Sequence, residues 1–399
     1  MDFKYSEEAE AFRREFRAWL DANPPPRIDH DVAIGEFAET GSAIWQRHLE
    51  WHRTMHSGGW VGITWPKSYG GREATLEQSI VYGEELARVH APSLVNGLGI
   101  AMVGPTLIHW GTEEQKKRFI PKILSAEEIW CQGFSEPGAG SDLASLQTRA
   151  VEDGDDFVIN GQKVWTSGAH HADMCFLLAR TDPEAPKHKG ISYILVDMHS
   201  PGITVRPLIQ MTGDHGFNEV FFEDVRVPRK NLVGAKNQGW QVANTTLAFE
   251  RSSMGGGSAR DVIGAARELA RLARRVPRDG GTAWDDSSVR QQVAQFAIES
   301  AALRYLNLRQ LTRRLKGLPP GPEGSGAKLV MSDLTVRTAK FAMELLGPYA
   351  QFEQNAAFAL EGGKWSYRML GARMMTIAGG TSEIQHNIIG ERVLGLPKG

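Results

Sequence analysis

Cysteine is nearly absent: only Cys131 and Cys175 occur in 399 residues, and neither belongs to a CxxC or Cys/His spacing. That excludes a disulfide scaffold and a structural zinc site, and it suits a reducing compartment. Charge of one sign is lacking as well. Lys and Arg total 45 against 47 Asp and Glu, a formal net charge of -2, so no global field draws the chain to nucleic acid or to an anionic membrane. No segment approaches the roughly eighteen consecutive apolar residues of a membrane span. The opening stretch MDFKYSEEAEAFRREF is charged and amphipathic rather than signal-like. A cytoplasmic protein without membrane insertion is expected. A third glycine is missing too: Gly138-Ala-Gly140 is followed by Leu143 where a dinucleotide fingerprint requires glycine, and no alternating βαβ pattern surrounds it. A Rossmann fold is therefore disfavoured.

What is present is a change of hydrophobic period along the chain, within an ordinary hydrophobic content of 41%. Phe12, Phe16, Trp19 and Leu20 recur at helical spacing after Ser6, a candidate N-cap, and Pro24, Pro25 and Pro26 end the run. Further helices are expected from near Thr75 through YGEELARVH, and over EEQKKRFIPKIL with Thr112 as N-cap. After Trp130 the pattern becomes β. Phe157, Val158 and Ile159, then Asn160-Gly161, then Lys163, Val164 and Trp165 predict a hairpin that turns at Asn160-Gly161. MCFLLA, ISYILVD, ITVRPL and NEVFFEDVRVP follow as strands. From Gly239 onward apolar residues again recur three or four apart in long segments. The expected class is α+β: an N-terminal helical domain over 1–130, a middle antiparallel β-barrel or sandwich domain over 131–235, and a C-terminal helical bundle over 236–399.

Three segments carry a resemblance. WCQGFSEPGAGSDLASLQTRA resembles the first signature of the acyl-CoA dehydrogenases, and GQKVWTSGAHHAD, about thirty residues later, resembles their next flavin-contacting segment. IAGGTSEIQHNIIGERVLGLP resembles their closing helix. The resemblance implies FAD, whose large aromatic body with polar edges requires a few aimed hydrogen bonds within apolar walls. It places the Phe134 backbone and the Ser135 hydroxyl at the pyrimidine edge, Ser167 near flavin N5, and Trp165 over the ring face away from substrate. Ser141 falls near the bound thioester and CoA, among the cofactor and substrate contacts alike. Thr381 and Glu383 fall at the adenosine half. Singly, each residue has a plainer role: loop geometry for Gly138, Gly140 and Ser141, core packing for Trp165, an N-cap for Thr381. The ordered set carries the resemblance.

Removing two hydrogens from an acyl thioester requires a base for the α-proton, an acceptor for the β-hydride and stabilisation of the developing enolate. In many family members the base is a glutamate immediately before the Gly-Thr of the closing motif. Here Gly379 stands there, in Ala378-Gly379-Gly380-Thr381. A second family arrangement supplies the carboxylate from an earlier helix, immediately before an arginine. Glu250-Arg251 matches it, which makes Glu250 the expected base and Arg251 a substrate-side neighbour. In the family the backbone N–H at that place helps polarise the thioester carbonyl; by that resemblance Gly379 keeps the donor while removing side-chain bulk, leaving room for a branched, cyclic or otherwise wide acyl group, or else glycine is tolerated there because the position has lost its duty. Gly255, Gly256 and Gly257 add a narrow strip of helix surface, or else a close helix contact or a helix interruption.

Two parts of the family pattern are altered. Glu344-Leu-Leu-Gly347-Pro348 stands where the resemblance expects Gln-x-x-Gly-Gly, and an Arg-x-Thr-Phe-Gly segment has no clear counterpart. Arg290 is a candidate replacement contact, or a solvated arginine at a helix start. The implied activity is FAD-dependent conversion of an acyl-CoA to its 2-enoyl-CoA, in fatty-acid or other lipid metabolism, with electrons passed to an electron-transfer flavoprotein. A homodimer or homotetramer is implied, with room for a heterotetramer. No metal ligand set is expected. Two other readings stay open: the same fold with desulfinase or oxidase chemistry, and a non-catalytic subunit of a heteromeric dehydrogenase.

Overall fold

The computed structural model describes residues 5–27, 41–316, 318, 321–322 and 324–397, with the side chains of 251–263 and 314 outside that description. Among the described residues five α-helices come first: α1 (Glu7–Ala22), α2 (Ala43–Ser57), α3 (Leu76–Arg88), α4 (Gly104–Trp110) and α5 (Glu113–Ser125). Local chemistry accounts for their starts. Ser6 Oγ accepts the Ala9 N–H at 3.2 Å at the head of α1, and Thr75 with Gln78 and Thr112 with Gln115 form reciprocal capping boxes on α3 and α5. Phe12, Phe16 and Leu20 of α1 are buried as their spacing requires, and the Phe16 ring lies 4.4 Å from Trp60 and 4.7 Å from Tyr82.

Eight strands follow: β1 (Trp130–Gly133), β2 (Arg149–Asp153), β3 (Asp156–Lys163), β4 (Met174–Arg180), β5 (Ile191–Asp197), β6 (Ile203–Leu208), β7 (Phe217–Pro228) and β8 (Leu232–Val233). They form one sheet in the order β6-β7-β3-β2-β4-β5-β8, with β1 beside β4. Most pairs are antiparallel as expected, but β1 runs parallel to β4, opposing Cys131 to Cys175. Met174–Ala179 and Ile191–Val196 are buried throughout, so the middle of the sheet is covered on both faces.

The hairpin lies elsewhere than Asn160-Gly161. Asp153 pairs with Asp156, so β2 and β3 turn at Gly154-Asp155, with Gly154 at φ 61°. β3 runs straight through Asn160-Gly161, where a bulge shifts its register against β7. Gly-Asp and Asn-Gly both suit a two-residue hairpin turn, and the cross-strand partners of β3 select between them.

The chain divides into two compact units, Met1–Glu250 and Arg251–Gly399. Helix α6 (Gly239–Ala273) is assigned without a break through the triple glycine. After it come the two-residue strands β9 (Pro277–Arg278) and β10 (Gly281–Thr282), then α7 (Ser287–Leu315), α8 (Gly324–Leu346), α9 (Lys364–Met375) and α10 (Ser382–Ile388). The second unit has its own core, in which Leu269, Leu272, Phe296, Leu303, Leu334 and Trp365 are buried. Glu268 is paired there with Arg368 at 2.6 Å and Lys364 at 3.3 Å, as a half-buried carboxylate must be. Among the described residues no helix is long and apolar enough to cross a membrane.

Candidate functional site

In the first unit the sheet delivers two of the expected segments to one place. β1 ends at Gly133 and continues into Phe134-Ser135-Glu136, while β3 ends at Lys163 and continues into Val164-Trp165-Thr166-Ser167. The Val164 N–H donates to the Ser135 carbonyl at 2.9 Å. Phe134 sends its ring into the core, edge-on to Phe176 at 5.6 Å and to Tyr193 at 6.1 Å, so only its backbone is available to a ligand. Ser135 is half-buried, and among the described residues neither its N–H nor its hydroxyl has a protein partner.

The second segment is fixed by Asn218 of β7. Thr166 N–H donates to the Asn218 carbonyl at 3.0 Å, and Asn218 Nδ2 donates to the Thr166 carbonyl at 3.1 Å. Trp165 is held at φ 59°, a left-handed conformation uncommon for an aromatic residue, and stays 60% exposed with its edge to Phe217. That exposure removes core packing as an account of Trp165. The Thr166 hydroxyl is buried and has no hydrogen-bond partner among the described residues. Ser167 is half-buried and lines a small depression together with Trp45, Ile129, Trp130 and His171.

Two charged residues missed by the sequence reading join these segments. Lys163 is fully buried, and its Nζ donates to the Phe134 carbonyl at 3.0 Å and to Glu136 Oε1 at 2.9 Å. Glu136, 8% exposed, also accepts the backbone N–H groups of Gln147 at 2.6 Å and Thr148 at 2.8 Å. Burial pushes the Lys163 ammonium down to about 8, against the opposing pull of Glu136. For Glu136 burial acts upward, but Lys163 together with the Thr148 and Gln147 donors wins and holds its carboxyl below the usual range. The available signal was phase: Lys163 falls on the same inward positions of β3 as Phe157 and Ile159, and a lysine in that phase demands a buried carboxylate.

Ser141 sits apart on the exposed loop that holds Gly138 and Gly140, beside Asp142, whose carboxylate pairs with Lys187 at 2.7 Å. Glu250 is the last residue of the first unit and is half-buried on α6. The side chains of Arg251 and of the glycine stretch 255–257 lie outside the described residues.

The second unit contains the closing motif. Gly379 and Gly380 take φ 66° and 95°, which explains glycine at both positions. Gln385 Nε2 donates to both of their carbonyls, at 3.0 and 3.1 Å, and Lys328 Nζ donates to that of Gly380 at 2.8 Å. Thr381 caps α10, its hydroxyl accepting the Ile384 N–H at 3.3 Å. Glu383 is exposed, and hydrogen bonds from its own backbone N–H and from Thr381 hold its carboxyl below the ordinary range. Arg290 is committed locally, donating to the Trp284 and Asp285 carbonyls, each at 2.8 Å.

Comparison with known proteins covers the chain. It matches the family models described as acyl-CoA dehydrogenase N-terminal domain over 6–127, middle domain over 131–225 and C-terminal domain over 237–394. It is 39% identical over 394 residues to acyl-CoA dehydrogenase IpdE1 of Mycobacterium tuberculosis (strain ATCC 25618 / H37Rv), spanning 98% of this chain and 99% of the relative. Among solved structures, the ChsE4-ChsE5 complex from Mycobacterium tuberculosis matches with TM-score 0.83 and 33% identity over all of both chains. A structure described as the Tcur3481-Tcur3483 steroid ACAD matches with TM-score 0.82 and 32% identity, again over all of both chains.

Proposed function

The chain belongs to the acyl-CoA dehydrogenase family, and from that premise we propose that it oxidises a CoA thioester to its 2-enoyl-CoA with FAD as cofactor. The observation that carries the reading is the junction of Ser135 with Val164, which sets the half-buried Ser135, its N–H and hydroxyl without a protein partner among the described residues, beside the segment that carries Trp165 and Ser167. A half-buried serine with an N–H and a hydroxyl to offer, next to an exposed aromatic ring, fits a ligand with a polar edge and an aromatic body, as a flavin has.

The Phe134 backbone and Ser135 would hold the pyrimidine edge, Ser167 the region of N5, the exposed Trp165 ring one face, and Thr381 and Glu383 the adenosine half. FAD, when bound, supplies the acceptor for the β-hydrogen and its electron pair. Glu250 takes the α-proton. Arg251 and Ser141 serve the CoA side. The Gly379 N–H polarises the thioester carbonyl, at a position without side-chain bulk.

The same proposal extends to acyl group and partners. A wide, ring-bearing acyl group is supported by glycine at 379 and by the 32% identity to a protein described as a steroid ACAD. An oligomer, homomeric or heteromeric, is supported by Ile298 and Tyr305, 63% and 60% exposed on α7, and by the likeness to a ChsE4-ChsE5 complex. Electrons leave to an electron-transfer flavoprotein in the cytoplasm.

The test is an anaerobic titration of the FAD-loaded protein with straight, branched and polycyclic acyl-CoAs, followed in the visible flavin band. Bleaching by the ring-bearing class is the expected result. Bound flavin that no acyl-CoA bleaches would favour other chemistry on this fold, and protein that cannot hold FAD alone would favour a subunit completed by a partner chain.

A further inference from the structure

We infer that Lys163 and Glu136 form a buried positioning pair for the cofactor site, setting the Phe134–Ser135 segment against the Trp165–Ser167 segment so that Ser135 presents its free polar groups to the flavin. This rests on the flavin reading above.

The geometry is directional. Three consecutive residues are gripped by two. Lys163 Nζ takes the Phe134 carbonyl at 3.0 Å and the Glu136 carboxylate at 2.9 Å, and the intervening Ser135 gives its carbonyl to the Val164 N–H at 2.9 Å. Glu136 is held from its other side by the N–H groups of Gln147 and Thr148, on the chain returning from the glycine loop. Arg180 adds a grip on that returning chain through the Ala144 and Leu146 carbonyls, at 2.7 and 3.1 Å. With these acceptors bound toward β3, the N–H and hydroxyl of Ser135 are the groups left over.

Stability is a poor reason for such a pair. Desolvating two charges offsets their attraction, and apolar residues of similar volume serve a core equally well. No apolar residue can bind the Phe134 carbonyl or orient the carboxylate that tethers the loop, and those are the two tasks Lys163 performs. Lys163 is the last residue of β3, with only Val164 between it and the Trp165–Ser167 segment, so its ammonium ties the end of one segment to the start of the other.

The experiment compares wild type, Lys163→Met, Glu136→Gln and the double variant Glu136→Gln/Lys163→Met. It reads the urea midpoint, the FAD dissociation constant and the visible spectrum of bound flavin. Lys163→Met strands the buried carboxylate, so both stability and FAD affinity fall. The double variant has no stranded charge and recovers most of the midpoint. Its FAD dissociation constant nevertheless stays raised by about tenfold, the scale of one lost charge-assisted hydrogen bond, and its flavin band shape differs from wild type. Glu136→Gln keeps the Lys163 bond to Phe134 and retains more FAD affinity than Lys163→Met at equal loss of midpoint. A double variant with wild-type affinity and spectrum overturns the inference. Should that variant not fold, affinity tracking midpoint identically in the two single variants overturns it instead. Wild-type protein without affinity for FAD would overturn the flavin reading itself, a separate outcome.

Discussion

The hydroxyls of Thr106 and Thr246 meet at 2.9 Å, both fully buried, and join α4 to the early turns of α6. Each hydroxyl also lies within reach of a backbone carbonyl four residues back, Thr106 of Met102 at 2.8 Å and Thr246 of Val242 at 3.1 Å; with one proton apiece, one hydroxyl donates across the contact and the other to its carbonyl. Glu250 follows Thr246 by four residues, one helical turn on the same face. The contact that seats α6 is thus adjacent in the helix to the proposed base.

Thr246→Val is expected to lower unfolding free energy by about 1–2 kcal/mol, because it leaves the Thr106 hydroxyl short of a buried partner. Flavin reduction should slow while FAD content is unchanged. Urea unfolding and anaerobic stopped-flow check the two parts, and an unaltered midpoint would mean that the hydroxyl pair contributes no net stability.

Glu250→Gln preserves shape and removes the proton acceptor. Reduction of the flavin by acyl-CoA is expected to fall by about a hundredfold or more, with FAD still bound in full. Wild-type reduction rates in this variant would take the base role away from Glu250.

Acid should destabilise the first unit in two overlapping windows. Hydrogen bonds from Arg17 foremost, against opposing burial and with help from Arg88 and Arg13, hold the Glu85 carboxyl at about 2 rather than 4.5. A depressed carboxyl contributes stability that is complete above 4.5 and lost as pH falls toward 2. Burial lowers His52 from 6.5 to about 4, against the pull of the Leu124 carbonyl, which its Nε2–H meets at 2.9 Å. The unfolded chain takes up that proton first, so its contribution is lost as pH falls from 6.5 to 4. Urea midpoints measured from neutral pH downward should show the lower window removed by Glu85→Gln and the upper one by His52→Gln.

Gly161→Ala tests the bulge. A methyl group there would lie 2.5 Å from the Thr148 hydroxyl and 2.7 Å from the Thr148 Cα, at φ 153°. The strand must shift to admit it. A loss of about 2–3 kcal/mol is expected in thermal or urea unfolding, with weakened FAD retention because Lys163 lies two residues on. A neutral substitution would show that the bulge accommodates a side chain freely.

Much of this molecule was determined by sequence alone wherever the cause is local. Ser6 and Thr112 cap the helices they were expected to cap, and Thr75 caps the helix expected to begin near it, because an N-cap needs only its own oxygen and the N–H two or three residues on. Thr381 caps α10 by the same logic. The change of period from helical to alternating and back marked the β region, and ordered motifs marked the family. Tertiary structure decided what depends on partners far along the chain. It put the β2–β3 turn at Gly154-Asp155 rather than Asn160-Gly161, since register is set by the strands on either side. It held Trp165 exposed in a left-handed conformation that its residue type disfavours. It also paired Lys163 with Glu136, 27 residues apart, because a buried charge is satisfied by whatever carboxylate the fold brings within reach, and no spacing in the sequence encodes that meeting.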